Sequence, residues 1–387
     1  MSPTGRPEGE LRPLGGAARA LALLGGLVGA LLAGGCTTVE FYWQGLAGQL
    51  DLIARARPVA EVVETTPDPQ LKARLQRAQA IRSYASRELA LPDNGSYARY
   101  ADLGRPFVVW NVFAAPELSL EPRRWCFPVA GCVAYRGYFA EADARAEGAR
   151  VAATGDDVHV GGVPAYSTLG WLDDPLLSTF IGYREPDLAR LIFHELAHQV
   201  AYVKDDTAFN ESFAVAVEEA GLARWLAAQA GRPDAAELAA QVERSDRWRS
   251  EFRALLRQTR DRLEAVYASD APDAAKREAK AAAFAAMRAE YERLKAGWGG
   301  VPAFDRWFAG GANNAGVAAA ALYADRVPQF RALLAAEGGD LPRFYGRVRV
   351  LAELPKPARD AELAALAPAA GAAPSAGHPL VLKSEIR

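Results

Sequence analysis

The chain has 387 residues, enough for one large domain or two ordinary ones with a sizeable core. Half of its residues are hydrophobic and 24% are charged, with 45 basic against 47 acidic side chains and a formal charge of −2. The clustered basic excess of a nucleic-acid-binding protein is absent. Only four histidines occur, His159, His194, His198 and His378, and two of them stand four residues apart.

Arg12 and Arg19 precede an uncharged run, Ala20 to Gly35, that is rich in Leu, Ala and Gly and ends at Cys36. That run is shorter than the roughly 20 residues of a membrane span, so residues 1–35 read as a signal peptide. Leu32-Ala33-Gly34-Gly35-Cys36 resembles the lipobox of bacterial lipoproteins. The resemblance implies that Cys36 becomes an acylated N-terminus and the membrane a partner. Residue 37 is Thr and not Asp, which in lipoproteins of this type favours the outer membrane and implies its periplasmic side. Each buried acyl methylene holds by about 0.8 kcal/mol, so a multiply acylated cysteine anchors firmly.

The opening segment, Val39 to about Leu91, reads as two helices with apolar stripes at Phe41, Leu46, Leu50, Leu52 and Ile53 and at Leu71, Leu75, Ala78, Ile81 and Leu89. Between Pro106 and Leu169 the pattern changes to short strand-like runs, Phe107–Phe113, Cys132–Tyr135 and Val158–Val160, which predict a small sheet. The two cysteines of this region, Cys126 and Cys132, flank a Pro- and Gly-containing loop. In an oxidising compartment they pair, a bridge worth about 2–3 kcal/mol. Their spacing exceeds that of a zinc-binding cysteine pair, and no second pair exists.

Helices follow from Pro186 to about Val203 and from Thr207 to about Ala230. A charged, Ala-rich stretch, about residues 233–297, predicts a long helical hairpin that turns near Asp270–Asp273. Its interleaved acidic and basic residues describe a packing or lid element with a solvated face. From Pro355 onward the composition predicts a flexible tail, 355–387, which contains His378 and leaves residues 36–354 as the folded domain.

His194-Glu195-Leu196-Ala197-His198 is the stretch that carries chemistry. On a helix the two imidazoles fall on one face, a turn apart, and reach a single metal ion, for which neutral imidazole nitrogens favour zinc. Two histidines leave room for a third protein ligand and a water whose pKa the metal lowers towards about 7. Glu195 stands beside them as the base that takes the water's proton and hands it to a leaving amine, which is peptide hydrolysis without a covalent intermediate. His159 reads as a buried strand histidine.

The third ligand is one of two carboxylates on the following helix. If the first helix ends near Val203, helical rise sets Glu211 level with His198 and Glu218 slightly beyond His194, so height does not decide between them. Asn210-Glu211 with Glu218 seven residues on resembles the second helix of zinc aminopeptidases of the gluzincin class. That resemblance implies Glu211 as ligand and Glu218 as a carboxylate orienting a histidine. Twelve residues separate His198 from Glu211, a shorter interval than in those enzymes. Their Gly-Ala-Met-Glu-Asn sequence is also missing, so their exopeptidase specificity does not carry over.

More widely, the chain resembles a family of bacterial lipoproteins described as putative aminopeptidases. The stretches are Tyr42-Trp43-Gln44, Asn94-Gly95-Ser96-Tyr97, Val109-Trp110-Asn111-Val112, Trp125-Cys126-Phe127-Pro128, Tyr135 to Phe139, Ala165 to Trp171, the zinc-motif helix through Gln199, and Phe209 to Ala214, covering most of Cys36 to about Tyr345. The family implies peptidase chemistry more strongly than aminopeptidase chemistry.

Weaker candidates complete the set. Ala165–Trp171, with Tyr166, sits where zinc peptidases have the edge strand that pairs with substrate; an ordinary core strand and turn is the other reading. Asn313, Asn314 and Tyr323 follow a Gly-rich turn and either donate to an oxyanion or cap a helix and pack a core. The whole reads as a predominantly helical α+β, zincin-like metallopeptidase holding one Zn2+ and acting on peptides. No protein partner is identifiable. The alternative is a structural or binding lipoprotein that keeps zinc without turnover.

Overall fold

The computed structural model describes residues 40–127, 131–165, 167–321 and 326–366. Cys36, Tyr166, Tyr323, His378 and the chain beyond 366 lie outside the described residues. Two units are distinguished: in the first, residues 40–50 are helical, and the second begins at Asp51 and contains everything that follows. No helix among the described residues is long and apolar enough to cross a membrane.

The second unit is predominantly helical, with small sheets, an α+β arrangement. Where one further opening helix is expected before Leu91, the chain makes Val59–Thr65 and Pro69–Leu89, separated from the helical residues 51–55 by a strand at Arg57–Pro58 that pairs with Arg99–Tyr100. Pro58, which lacks an amide donor, marks this break. Helix Pro69–Leu89 starts where the Asp68 carboxylate accepts from the Gln70 amide and stops at Ala90 in the left-handed region.

Pro69–Leu89 packs on the motif helix, Glu185–His198, which in turn lies along Thr207–Ala228, the carboxylate helix. Every motif-helix residue except Asp187 is buried, as befits a helix at the centre of a core. Gly221 makes the close crossing possible, since a Cβ there would stand 2.8 Å from both Leu89 Cδ1 and Phe193 Cδ2.

A second core gathers around an antiparallel sheet ordered Arg136–Tyr138, Val109–Ala115, Asp157–Val163. Helix Glu141–Ala152 covers one face, Gly148 resting on Val158 and Val160. Helix Asn314–Ala321 packs on the sheet, and beside it the hairpin Ala235–Ala268 and Asp273–Gly297 meets the short helix Asp305–Ala309, with Phe252 against Phe304 and Trp307. A two-stranded hairpin, Trp125–Phe127 with Gly131–Val133, sets Cys126 opposite Cys132, and the two are joined by a disulfide.

Two expectations are corrected. Lys356–Ala365 is a helix, not the start of a flexible tail: Leu363 is buried, and the buried Arg359 reaches Asp206 at 2.7 Å. Its few apolar residues concealed it, because an ion pair does part of the anchoring. Ala165 to Trp171 forms no strand among its described residues, because Leu169 and Gly170 both take positive φ and make a turn.

Candidate metal centre

The motif helix ends at His198, about a turn short of the expected Val203. Past it, the Asn210 side chain accepts from the Val203 amide at 2.7 Å and donates to the Val203 carbonyl at 2.8 Å, taking the groups a longer helix would have used. Gln199 is held by the 94–96 turn: Asn94 donates to its Oε1 at 2.7 Å, and its Nε2 donates to Ser96 Oγ at 3.1 Å. Gly95 has to be glycine there, since a Cβ would meet the Asp173 carboxylate at 2.3 Å. At the other end of the loop, Asp206 accepts from the Phe209 amide and caps the carboxylate helix, so Glu211 projects from an anchored first turn.

This framing brings His194, His198 and Glu211 together, all buried, with one candidate ligand atom from each lying within 4.8 Å of the others. Glu211 Oε2 is 3.2 Å from His194 Nε2, and Glu211 Oε1 is 3.6 Å from His198 Nε2. Zinc bonds of about 2.0–2.2 Å in tetrahedral geometry set ligand atoms about 3.4 Å apart, so these spacings and the buried His2Glu donor set fit one zinc ion.

The same geometry separates the two carboxylates. Glu218 is on the far side of His194, whose Nδ1 donates to Glu218 Oε2 at 2.8 Å. With Nδ1 held by Glu218, the ring turns its Nε2 toward Glu211. Arg190, itself buried against Asp246 at 2.6 Å, stands 3.6 Å from the other Glu218 oxygen.

Glu195 is 1% exposed. Three tyrosines surround this charge cluster, and the spacing of the motif gave no sign of them. Burial, then the charges of Glu195 and Asp174, holds the Tyr97 phenol well above its ordinary pKa. Tyr135 is raised by burial, then by Tyr202, Glu211 and Glu195. Tyr202 is raised by burial, then by Glu211 and Asp205. All three remain protonated phenols, and Tyr202 sets its ring 6.3 Å from that of His198. Tyr97 and Tyr135 fall within stretches that resemble the lipoprotein family, and that was their only signal.

Asn313 and Asn314 are not brought to this cluster. Asn313 donates to the Val158 carbonyl at 2.8 Å and accepts from the Gly316 amide. Asn314, fully buried, bonds the carbonyls of Pro116 and Glu117 and the Tyr267 hydroxyl. Asn313 thus caps the start of helix Asn314–Ala321, whereas the Asn314 side chain caps no helix and ties that helix to the 116–117 loop. His159 is 3% exposed between Phe113 and Trp307, and burial pushes its pKa down to about 4.

A search of curated proteins and a search of solved structures each returned no match. A family model described as "Putative aminopeptidase" matches residues 40–363, the stretch that contains both site helices, and the chain belongs to that family.

Proposed function

We propose that the protein is a zinc peptidase that hydrolyses peptide bonds with His194, His198 and Glu211 holding one ion and Glu195 as general base. The observation that carries the proposal is the pairing of both Nε2 atoms with Glu211 while Glu218 takes His194 Nδ1. A zinc ion bound there supplies a water of lowered pKa and polarises the scissile carbonyl. Glu195 takes the water's proton on its carboxylate and passes it to the leaving nitrogen. Glu218 keeps His194 in its ligating tautomer throughout. The neutral phenols of Tyr135 and Tyr202 add hydrogen-bond donors to the carboxylate-rich surroundings without adding charge.

The family description supports cleavage from a free amino end. Hydrolysis of a mixed peptide pool that is lost when the same peptides are N-acetylated is the expected result; equal cleavage of both pools would indicate an endopeptidase. Glu195→Gln should retain zinc and lose at least about a hundredfold in rate, the contribution of a positioned base. Zinc content without cleavage by the unmutated chain would favour the structural or binding reading. The proposal includes an acylated Cys36 that tethers the domain to the periplasmic side of the outer membrane. Labelled fatty acid should enter the chain and be absent from Cys36→Ser.

A further inference from the structure

In the helical residues 40–50, every exposed side chain from Phe41 to Leu50 is apolar or aromatic: Tyr42, Trp43, Leu46, Ala47 and Leu50. Trp43 is 69% exposed, Leu46 53% and Leu50 56%. Gln44 and Gln49, the polar side chains of the same stretch, are half-buried. At 3.6 residues per turn the exposed positions share one face, an arc of about 140°. A helix that meets only water turns its polar residues out and its leucines in, and here that order is reversed. Single exposed apolar residues are ordinary, but a contiguous stripe of them marks a surface that something covers.

The position of the helix in the chain says what covers it. Glu40 follows Cys36 by four residues, so in an acylated chain this helix begins at most about 14 Å from the bilayer, whatever path the residues between them take. Tryptophan and tyrosine suit that level, where the ring meets acyl chains and its polar edge meets water. Residues 40–50 contain no Lys or Arg, so apolar contact and not attraction to anionic headgroups supplies the binding, and neutral lipid suffices. At 1.5 Å per residue this stretch is about 16 Å long, half of a hydrocarbon core of about 30 Å, so it can lie on a membrane and not span one.

We infer that residues 40–50 form an interfacial helix that lies along the lipid surface with Trp43, Leu46 and Leu50 sunk into it. One acyl chain alone holds a protein weakly, and this stripe adds a contact made by the protein itself. The inference rests on acylation of Cys36 and is independent of hydrolysis at the metal centre.

The test uses the full acylated chain in phosphatidylcholine vesicles, with and without bromine high on the acyl chains, and reads tryptophan fluorescence. The chain has 8 tryptophans, so the Trp43 signal is the difference between the unmutated protein and Trp43→Phe. An interfacial helix sets its apolar face about 5–10 Å into the boundary of headgroups and acyl chains, so brominated lipid should quench that signal at least about twofold. Leu46→Glu combined with Leu50→Glu should restore it while labelled fatty acid stays on the chain and the protein still floats with the vesicles. Both leucines are exposed, so the double substitution leaves the core intact. Equal Trp43 fluorescence in the two lipids, from a vesicle-bound chain carrying fatty acid, would overturn the inference and leave the anchor standing. Quenching that survives the double substitution would overturn it as well. Dimers in detergent that Leu46→Glu separates, with Trp43 unquenched in vesicles, would give the stripe to a second copy of the chain instead. Absence of fatty acid would overturn the anchor and the inference together.

Discussion

The two cores bury side chains by different means. Around the motif helix, buried arginines meet carboxylates: Arg190 meets Asp246 and Glu218, Arg249 meets Asp187, and Arg359 meets Asp206. Around the sheet, rings meet rings, with Phe252 stacked on Phe304 at 4.1 Å and Tyr291 on Phe308 at 4.5 Å. A metal centre made of histidines and carboxylates needs a polar lattice to hold it, and the charged core is where that lattice exists. The aromatic core has no such demand.

The sharpest contrast lies within the charged core. Glu211→Ala should abolish stoichiometric zinc binding, measured by metal content after dialysis, whereas Glu218→Ala should weaken affinity by about 10- to 100-fold, as loss of a histidine's orienting partner does. The reverse ranking would exchange the two roles.

Next come deletions that compare the cores directly. Asp206→Ala leaves the buried Arg359 without its counterpart and should cost about 3–5 kcal/mol in chemical denaturation. Phe252→Ala should cost a similar amount, about 3–5 kcal/mol, by opening a cavity. Only the first should also lower zinc affinity. Equal loss of metal from both would dissolve the distinction between the cores.

Acidification probes the aromatic core through its one histidine. With His159 held near 4 in the folded chain against 6.5 when unfolded, the unfolded state binds the extra proton between those values. Stability from this residue is complete above about pH 6.5 and falls as pH drops towards 4, by about 3 kcal/mol. His159→Phe should remove that part of the slope; unfolding curves with identical pH dependence in both chains would refute it.

Gly221→Ala is the smallest test. It gains about 1 kcal/mol of helix propensity but forces a methyl against Leu89 and Phe193, an overpacking cost of about 1–3 kcal/mol. Thermal melting should therefore show a net destabilisation on the order of 1 kcal/mol, and a stabilised variant would mean that the helices part without cost.

Much of this was legible in the chain. His194, Glu195 and His198 declare themselves by spacing, and the hairpin found at Ala235–Ala268 and Asp273–Gly297 was written in apolar periodicity. The end of the motif helix was not, because it depends on Asn210, a side chain in another helix that captures Val203. The choice of Glu211 over Glu218 was legible only through the resemblance of Asn210-Glu211, because it turns on opposite sides of one imidazole ring and not on height along a helix. The tyrosines escaped for a related reason, since Tyr97 and Tyr135 approach the cluster from segments far away in sequence. Helix Lys356–Ala365 looked like tail because part of what fixes it is a charge pair, which hydrophobic patterns do not record.

That charge pair carries a consequence for how the protein is made. Chains emerge from their N-terminus first, and domains begin to fold in that order. Asp206, which begins the helix bearing Glu211, acquires Arg359 only after the chain has grown by 153 further residues. The imidazoles and carboxylates can therefore meet early, but the loop between them closes in its final form late. A chain that stops before Lys356 should therefore occupy the candidate metal site more weakly than its intact motif would suggest.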